Sequence, residues 1–172
     1  MSNQPSSDLI CYACRQILPE HKSSYECGIC QNPICKKCVC AIDKDHFSFM
    51  GSIPADLAHT TYCSVCYYQQ VAPAMQSYAD TMKRAEGLYV FEKSTRNLPL
   101  LVRSKHKVSV LNCPDRKETL LRLAFLAAEQ SFNAIAGVEL ECQKVRINHY
   151  QTSVWSGSGY PATYKDRGQS NF

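Results

Sequence analysis

The spacing of apolar side chains predicts two helices in this chain. The first lies over 72–86, a stretch without glycine in which apolar residues recur at helical intervals, namely Met75, Tyr78, Ala79 and Met82. Pro73 fits the first turn, where a backbone N–H is not needed, and Gly87 marks the end. We expect this helix to act as a spacer or to close the segment before it.

The second predicted helix begins after Asp115. This aspartate can cap the free N–H groups of the first turn, and Glu118 stands three residues further on, as in a capping box. A broad apolar face then continues to about Ser131, made of Leu120, Leu121, Ala124, Leu126, Ala127 and Ala128. The pattern predicts an amphipathic helix that packs on one side.

Strand character surrounds the second helix. Two short segments precede it, Leu88–Glu92 and Leu100–Leu111, and strict alternation of apolar and polar residues follows it in Gly137–Cys142. Val145–Tyr150 and Ser153–Lys165 extend the same character. The second half of the chain therefore reads as one helix among several strands.

Three basic residues alternate within Leu100–Leu111. Arg103, Lys105 and Lys107 would share one face of a strand, because side chains two residues apart point to the same side. One interpretation is a basic stripe that contacts phosphate groups or an acidic surface. The absence of interleaved aromatic residues favours the other interpretation, a solvated sheet face.

Composition limits the size and class of the protein. With 172 residues, 45% hydrophobic and 20% charged, the chain fits one ordinary domain plus a small metal-stapled one. The net charge of +4 permits an acidic partner without requiring nucleic acid. No run approaches the roughly eighteen apolar residues of a membrane span, and no secretory signal is visible. The polar ends, 1–8 and 167–172, predict a disordered arm and tail.

The candidate chemistry lies in four Cys-x-x-Cys pairs near the start of the chain. This spacing lets a short turn hold one tetrahedral ion from one side, so two pairs complete a four-thiolate site and four pairs predict two structural zinc ions. A disulfide framework is the alternative, but the odd total of 11 cysteines and the missing secretory signal favour zinc. The predicted ligands are Cys11, Cys14, Cys27, Cys30, Cys35, Cys38, Cys63 and Cys66.

The four pairs can be connected consecutively or in an interleaved manner. Either pairs one and two share an ion, as do pairs three and four, or the pairs interleave, one with three and two with four. The chain from Cys30 to Cys35 spans at most about 17 Å, enough to pass between two neighbouring ions. Reach alone therefore allows both arrangements.

The run C-G-I-C-Q-N-P-I-C-K-K-C at 27–38 has the frame of FYVE-type and FYVE-related zinc fingers. Cys63–Cys66, followed by two tyrosines, resembles the closing pair of these fingers, which precedes a helix. The resemblance implies a cross-brace, treble-clef-like finger over 9–70. One zinc would then be held by Cys11, Cys14, Cys35 and Cys38, and the other by Cys27, Cys30, Cys63 and Cys66.

One departure from the lipid-binding FYVE pattern concerns the approach to Cys27. Lipid-binding members carry a basic, His-rich run there, which grips the phosphate of phosphatidylinositol 3-phosphate. Here the segment 20–26 has one lysine, Lys22, between Glu20 and Glu26. The departure favours a FYVE-related finger that binds protein.

A second resemblance covers about residues 88–166. The runs Asn133–Leu140 and Ser158–Ala162 are similar to the YbjQ-like family, whose label is heavy-metal binding. The resemblance implies an α+β domain with a mainly antiparallel sheet, which homo-oligomerises into rings, and it supplies neither a reaction nor metal ligands. Residues 71–87 would then form a helical connector between the finger and this domain.

These features predict a non-enzymatic, cytoplasmic zinc-binding adaptor or scaffold that recognises protein partners. A four-thiolate site has no open coordination position for catalysis, and no nucleophile motif or phosphate loop is present. Three alternatives are a phosphoinositide-dependent membrane adaptor, a RING-like ubiquitin-ligase scaffold, and metal sensing or trafficking by the C-terminal domain. Nucleic acid is not an expected partner.

Overall fold

The computed structural model describes residues 9–18, 24–147 and 150–165. The predicted disordered arm at 1–8 and tail at 167–172 lie outside the described residues, as does most of the segment between Glu20 and Glu26. The described residues divide into two units. The N-terminal unit contains residues up to 48 and 52–78, and the C-terminal unit contains 49–51 and 79 onward. The predicted domain limits stay predictions.

The N-terminal unit is built from two small antiparallel sheets of two strands each and a helical segment. Strand β1 pairs with β2, so that Tyr25 faces Ile34, and β3 pairs with β4, so that Val39 faces Cys63. A π-helical turn, Tyr67–Val71, continues the short helix α1 into α2. The elements are β1 (Tyr25–Glu26), β2 (Pro33–Ile34), β3 (Val39–Ala41), β4 (Thr61–Cys63), α1 (Ser64–Cys66) and the part of α2 (Ala72–Glu86) that ends at Tyr78.

Helix α2 confirms the helix predicted over 72–86, but its buried face differs from the predicted one. Thr81 and Ala85 are its buried residues, whereas Ala79 is exposed. Because each residue advances the helix by about 100°, the buried face is rotated by about a quarter turn from the predicted stripe. Among the described helices, none is both long and apolar enough to cross a membrane.

The C-terminal unit is a five-stranded sheet with one helix on it. The sheet order is β5-β8-β9-β6, and β7 also pairs with β9. β5 runs parallel to β8, and the other pairings are antiparallel. This confirms the predicted α+β class with a mainly antiparallel sheet. The elements are β5 (Tyr89–Glu92), β6 (Leu100–Arg103), β7 (Val108–Cys113), α3 (Arg116–Glu129), β8 (Ala134–Ile147) and β9 (Tyr150–Tyr164).

The prediction of one strand over Leu100–Leu111 is wrong, since a turn at 104–107 divides it into β6 and β7. The Ser104 hydroxyl accepts a hydrogen bond from the His106 N–H at 3.1 Å, and the Ser104 N–H donates to the Pro161 carbonyl at 2.8 Å. The first bond closes a local serine turn that ends β6, and the second extends the pairing of β6 with β9 to Ser104. Arg103, Lys105 and Lys107 therefore do not alternate on one strand face.

Helix α3 begins after Asp115, as predicted, but its buried residues include two that the predicted apolar face did not contain. The Asp115 side chain caps it, accepting from the Glu118 N–H at 2.7 Å, whereas the Glu118 side chain pairs with Arg122 instead of closing the capping box. Leu123 and Phe125, which the predicted face omitted, are fully buried, and Leu120, Leu121 and Leu126 are half-buried.

The main core of the C-terminal unit lies between α3 and the sheet. Leu123 and Ala127 of the helix cluster with Ile135 and Val138 of β8. Gly157 of β9 makes this approach feasible, because a Cβ at that position would lie 2.8 Å from the side chain of Thr119 and 3.0 Å from that of Leu123. The apolar side chains of α3 therefore pack closely on β9, because Gly157 has no side chain that would collide with them.

Candidate metal centres

The eight paired cysteines lie in two groups of four in the N-terminal unit. Within each group, one ligand atom per residue lies within 4.8 Å of the others, so each group could hold one metal ion. The groups join pairs one and three and pairs two and four, which is the interleaved arrangement. The first group is Cys11, Cys14, Cys35 and Cys38, and the second is Cys27, Cys30, Cys63 and Cys66.

The first pair of each group sits in a turn of the same design. Arg15 follows Cys14 with φ 60°, and Gln31 follows Cys30 with φ 60°. The N–H of each of these residues donates to the carbonyl of the first cysteine of its pair, at 2.9 Å in both turns. A residue in the left-handed region closes each turn and brings two sulfurs to the same side.

The second pair of each group is positioned differently. Cys35–Cys38 forms a turn between β2 and β3, in which the Cys38 N–H donates to the Cys35 carbonyl at 3.0 Å. Cys63 ends β4 and caps α1, because its sulfur accepts from the Cys66 N–H at 3.4 Å. Burial outweighs this hydrogen bond from the Cys66 N–H, and the pKa of Cys63 is raised.

The distances between sulfurs fit a tetrahedral ion. The Sγ atoms of Cys14 and Cys35 are 3.8 Å apart, and those of Cys30 and Cys63 are 3.9 Å apart. Four sulfurs at about 2.3 Å from a central zinc would be about 3.8 Å from one another. All 11 cysteines are free thiols, so no disulfide competes for these sulfurs.

Ionisation is unevenly distributed over the first group. Burial opposes ionisation of Cys11, but backbone hydrogen bonds from Cys14, Cys35 and Ala13 outweigh it and lower the pKa of Cys11 to about 6. One of these bonds runs from the Cys35 N–H to the Cys11 sulfur at 3.3 Å. Hydrogen bonds to the sulfurs of Cys35 and Cys14 raise the pKa of Cys38 to about 12.

The second group repeats this distribution. Burial opposes ionisation of Cys27, yet backbone hydrogen bonds from Cys63, Cys30 and Ile29 lower its pKa to about 6. Burial, followed by hydrogen bonding to Cys63, raises the pKa of Cys66. The pKa of one thiol is therefore lowered in each group, whereas the pKa of Cys38 in the first group and of Cys66 in the second is raised. A bound dication would lower these raised pKa values, since it offsets the repulsion between thiolates.

The two groups differ in exposure. In the first, Cys11 is buried, Cys14 is exposed and the other two are half-buried. In the second, all members except the half-buried Cys30 are buried. The second group is therefore better shielded from water and from reagents that attack sulfur.

The remaining cysteines and the described histidines of this unit stand outside both groups. Cys40 lies on β3 opposite Tyr62, and Cys113 and Cys142 belong to strands of the other unit. His46 contacts Phe47 and Tyr78, and His59 covers the space beside Gly28. None of these side chains joins either group among the described residues.

The basic residues predicted to contact phosphate or an acidic surface do not form a stripe on one strand. Arg103 places its guanidinium 4.1 Å from the centre of the Tyr160 ring, and Lys107 binds Glu139 at 2.9 Å. Lys105 stands in the exposed turn. Sequence reasoning missed Lys93, which binds Glu139 at 2.6 Å. Lys93 reaches Glu139 because β5, which directly precedes Lys93, pairs in parallel with β8. No motif in the sequence around Lys93 indicates this contact.

Comparison of the chain with protein-family models, with curated proteins and with solved structures found no match. The resemblances to FYVE-related fingers and to YbjQ-like domains therefore stay predictions based on short motifs.

Proposed function

We propose that this protein is a zinc-stabilised adaptor whose N-terminal unit is a FYVE-related, cross-brace finger that recognises protein partners. The observation that carries the proposal is the interleaved grouping of the eight cysteines, with sulfurs at tetrahedral spacing. Four thiolates form the closed ligand set of structural zinc, which supplies folding free energy to a small unit.

The closed ligand sets support recognition instead of catalysis. A catalytic zinc keeps one position open for water or substrate, and four sulfur ligands leave none. The eight thiolates would require a reducing environment, which supports the cytoplasm as the place of action. Zinc bound in this way would have a structural role, because it would hold the cysteine turns in place and so keep the surface for a protein partner ordered.

Exposed apolar residues beside the first group support a protein partner. Ile10 and Ile17 pair through an isolated β-bridge, and they are 47% and 64% exposed. Leu9 is also exposed, and its carbonyl accepts from the Leu18 N–H at 2.7 Å. Apolar side chains held at the surface by an ordered hairpin are typical of protein contacts.

Affinity capture with three forms of the chain tests the proposal. The zinc-loaded protein should retain specific partners that both the chelated protein and Ile17→Ser lose. The matched control Val65→Ser, which alters another exposed apolar residue of the same unit, should retain them. Identical capture by all forms would contradict the proposal.

Two further assays separate the alternatives. Specific flotation with phosphatidylinositol 3-phosphate vesicles would replace the proposal with a membrane adaptor. Discharge of ubiquitin from a loaded conjugating enzyme would replace it with a ligase scaffold. We expect neither activity, because the sequence near Cys27 lacks a basic run and the spacing of the pairs differs from that of RING fingers.

A further inference from the structure

Residues within or directly next to the five strands of the C-terminal unit form one charged cluster on the sheet. The basic cluster consists of Lys93, Arg103 and Lys107, arranged around Glu139 and Tyr160. The Lys93 N–H donates to the Val138 carbonyl at 3.1 Å, which places this residue beside Glu139. Arg103 ends β6, Lys107 directly precedes β7, and Tyr160 belongs to β9.

The cluster contains more positive than negative charge. Its three cations face one carboxylate, Glu139, which both lysines share at 2.6 and 2.9 Å. Hydrogen bonds from Lys93 and Lys107 lower the pKa of Glu139 to about 2, in keeping with a strongly positive surrounding. The guanidinium carbon of Arg103 lies 4.1 Å from the centre of the Tyr160 ring, and Lys107 Nζ lies 6.0 Å from the same ring. The contact with the ring favours a guanidinium at this place, and a guanidinium can donate paired hydrogen bonds to a carboxylate.

An apolar sheet edge leads into this cluster. β6 pairs only with β9 among the described strands, so its other side is an open edge. Leu101 and Val102 on this strand are 63% and 55% exposed. An edge strand presents unpaired N–H and C=O groups, which an extended segment of another chain can pair with.

We propose that this edge and the basic cluster together bind an extended acidic segment of a partner protein. The segment pairs its backbone with β6, its apolar side chains cover Leu101 and Val102, and its carboxylates reach Arg103 and Lys107. The proposal goes beyond the function assigned to the finger, because it gives the C-terminal unit a contact surface that does not depend on metal.

The arrangement favours protein over a membrane or nucleic acid. Glu139 stands in the middle of the cluster and would repel a continuous row of phosphates, whereas separate carboxylates can approach the cations around it. The cluster is also small, and its apolar neighbours have no counterpart in a phosphate backbone. A peptide that alternates acidic and apolar residues matches both parts of the surface.

Fluorescence anisotropy on the zinc-loaded full chain tests this inference. The probe is a labelled peptide of alternating Glu and Val, and the comparison peptide replaces every Glu with Gln. We expect the acidic peptide to bind and the neutral one to bind at least about tenfold more weakly, as expected when charge-assisted hydrogen bonds are lost. Affinity should fall as salt rises.

Variants of the cluster should change affinity in opposite directions. Arg103→Gln and Lys107→Gln should each weaken binding by about tenfold. Glu139→Gln should tighten it, because the internal competitor for the cations is removed. The control Lys144→Gln removes the same charge from β8 opposite Ser153, away from the cluster, and should leave affinity unchanged.

Several results would overturn the proposal. These are absence of binding, equal binding of the neutral peptide, weaker binding by Glu139→Gln, or a Lys144→Gln effect as large as that of Lys107→Gln. Tighter binding of phosphatidylserine vesicles or of a single-stranded oligonucleotide through Arg103 and Lys107 would also overturn it, and would assign the surface to a membrane or to nucleic acid. Removal of zinc does not enter these outcomes, so the test is separate from that of the finger.

Discussion

The buried clusters of the two units differ in chemistry. Half of the buried cluster in the N-terminal unit is cysteine, Cys11, Cys27, Cys63 and Cys66, accompanied by Leu18, Ile34, Tyr62 and Val71. The C-terminal unit instead packs Leu123 and Ala127 against Ile135 and Val138 between a helix and a sheet. Thiols close to one another resist joint ionisation, and they give a stable centre only when a cation joins them.

Because of this difference, the two units should respond differently to removal of metal and to loss of side-chain packing. The strands of the N-terminal unit have two or three residues each, too short to supply a core of their own. The C-terminal unit has strands of 14 and 15 residues that pair along most of their length. We expect metal to decide the folding of the first and side-chain packing to decide that of the second.

Removal of metal should have the largest effect, and it should be confined to one unit. A structural zinc site contributes roughly 10–16 kcal/mol of binding free energy that is coupled to folding. Hydrogen exchange of the full chain after chelation should show loss of protection in β1–β4, while β7, α3 and β8 stay protected. Added zinc should restore protection in β1–β4. Equal loss in both units, or in neither, would remove the distinction.

Leu123→Ala should disturb only the C-terminal unit. Deletion of a fully buried leucine leaves a cavity and should reduce the free energy of unfolding by about 3 kcal/mol. Trp155, the only tryptophan and part of β9, reports denaturant unfolding of this unit by fluorescence. The half-buried Leu121→Ala is the matched control and should cost less than half as much. An altered zinc content in Leu123→Ala would show that the units are not independent.

Asp115→Ala should have a smaller effect in the same unit. It removes the side chain that accepts from the Glu118 N–H, and loss of such a cap costs about 1 kcal/mol. The same fluorescence measurement applies, with Lys117→Ala as the control within the first turn. A loss as large as that of Leu123→Ala would mean that the cap has a further role.

The smallest expected effect is a loss of stability at low pH, when Glu139 becomes protonated. The pKa of Glu139 in the folded state is about 2, below its ordinary 4.5, because Lys93 and Lys107 favour the charged form. The stabilisation from this carboxylate is therefore present above its ordinary pKa and is lost as pH falls toward about 2. NMR titration of its carboxyl carbon should give a midpoint near that value, and Lys93→Ala should raise it. A midpoint at the ordinary value would show that the shared ion pair does not form in solution.

Short sequence motifs correctly predicted those features that are determined by residues close together in the sequence. The Cys-x-x-Cys spacing correctly indicated the eight cysteines that form the two groups of four, and Asp115 correctly indicated the start of α3. The split of Leu100–Leu111 was missed, since the turn contains no Gly, Pro or Asn and is closed by the Ser104 hydroxyl.

Features that depend on packing could not be obtained in the same way. Leu123 is buried because α3 lies on the sheet, where it clusters with Ile135 and Val138. Phe125 lies about 200° further around the helix and is buried at a contact with Phe49. The basic cluster joins Lys93 to Glu139 across 46 positions of sequence, through pairing of β5 with β8. No pattern within a short window indicates such a contact.

Native mass spectrometry can count the metal ions that the two cysteine groups hold. We predict two zinc ions per chain in the wild-type protein. Cys63→Ser should retain one ion, because Cys63 belongs to the second group alone, and Cys40→Ser should retain both. A count of one or none in the wild-type protein, or a loss of zinc in Cys40→Ser equal to that in Cys63→Ser, would contradict the account.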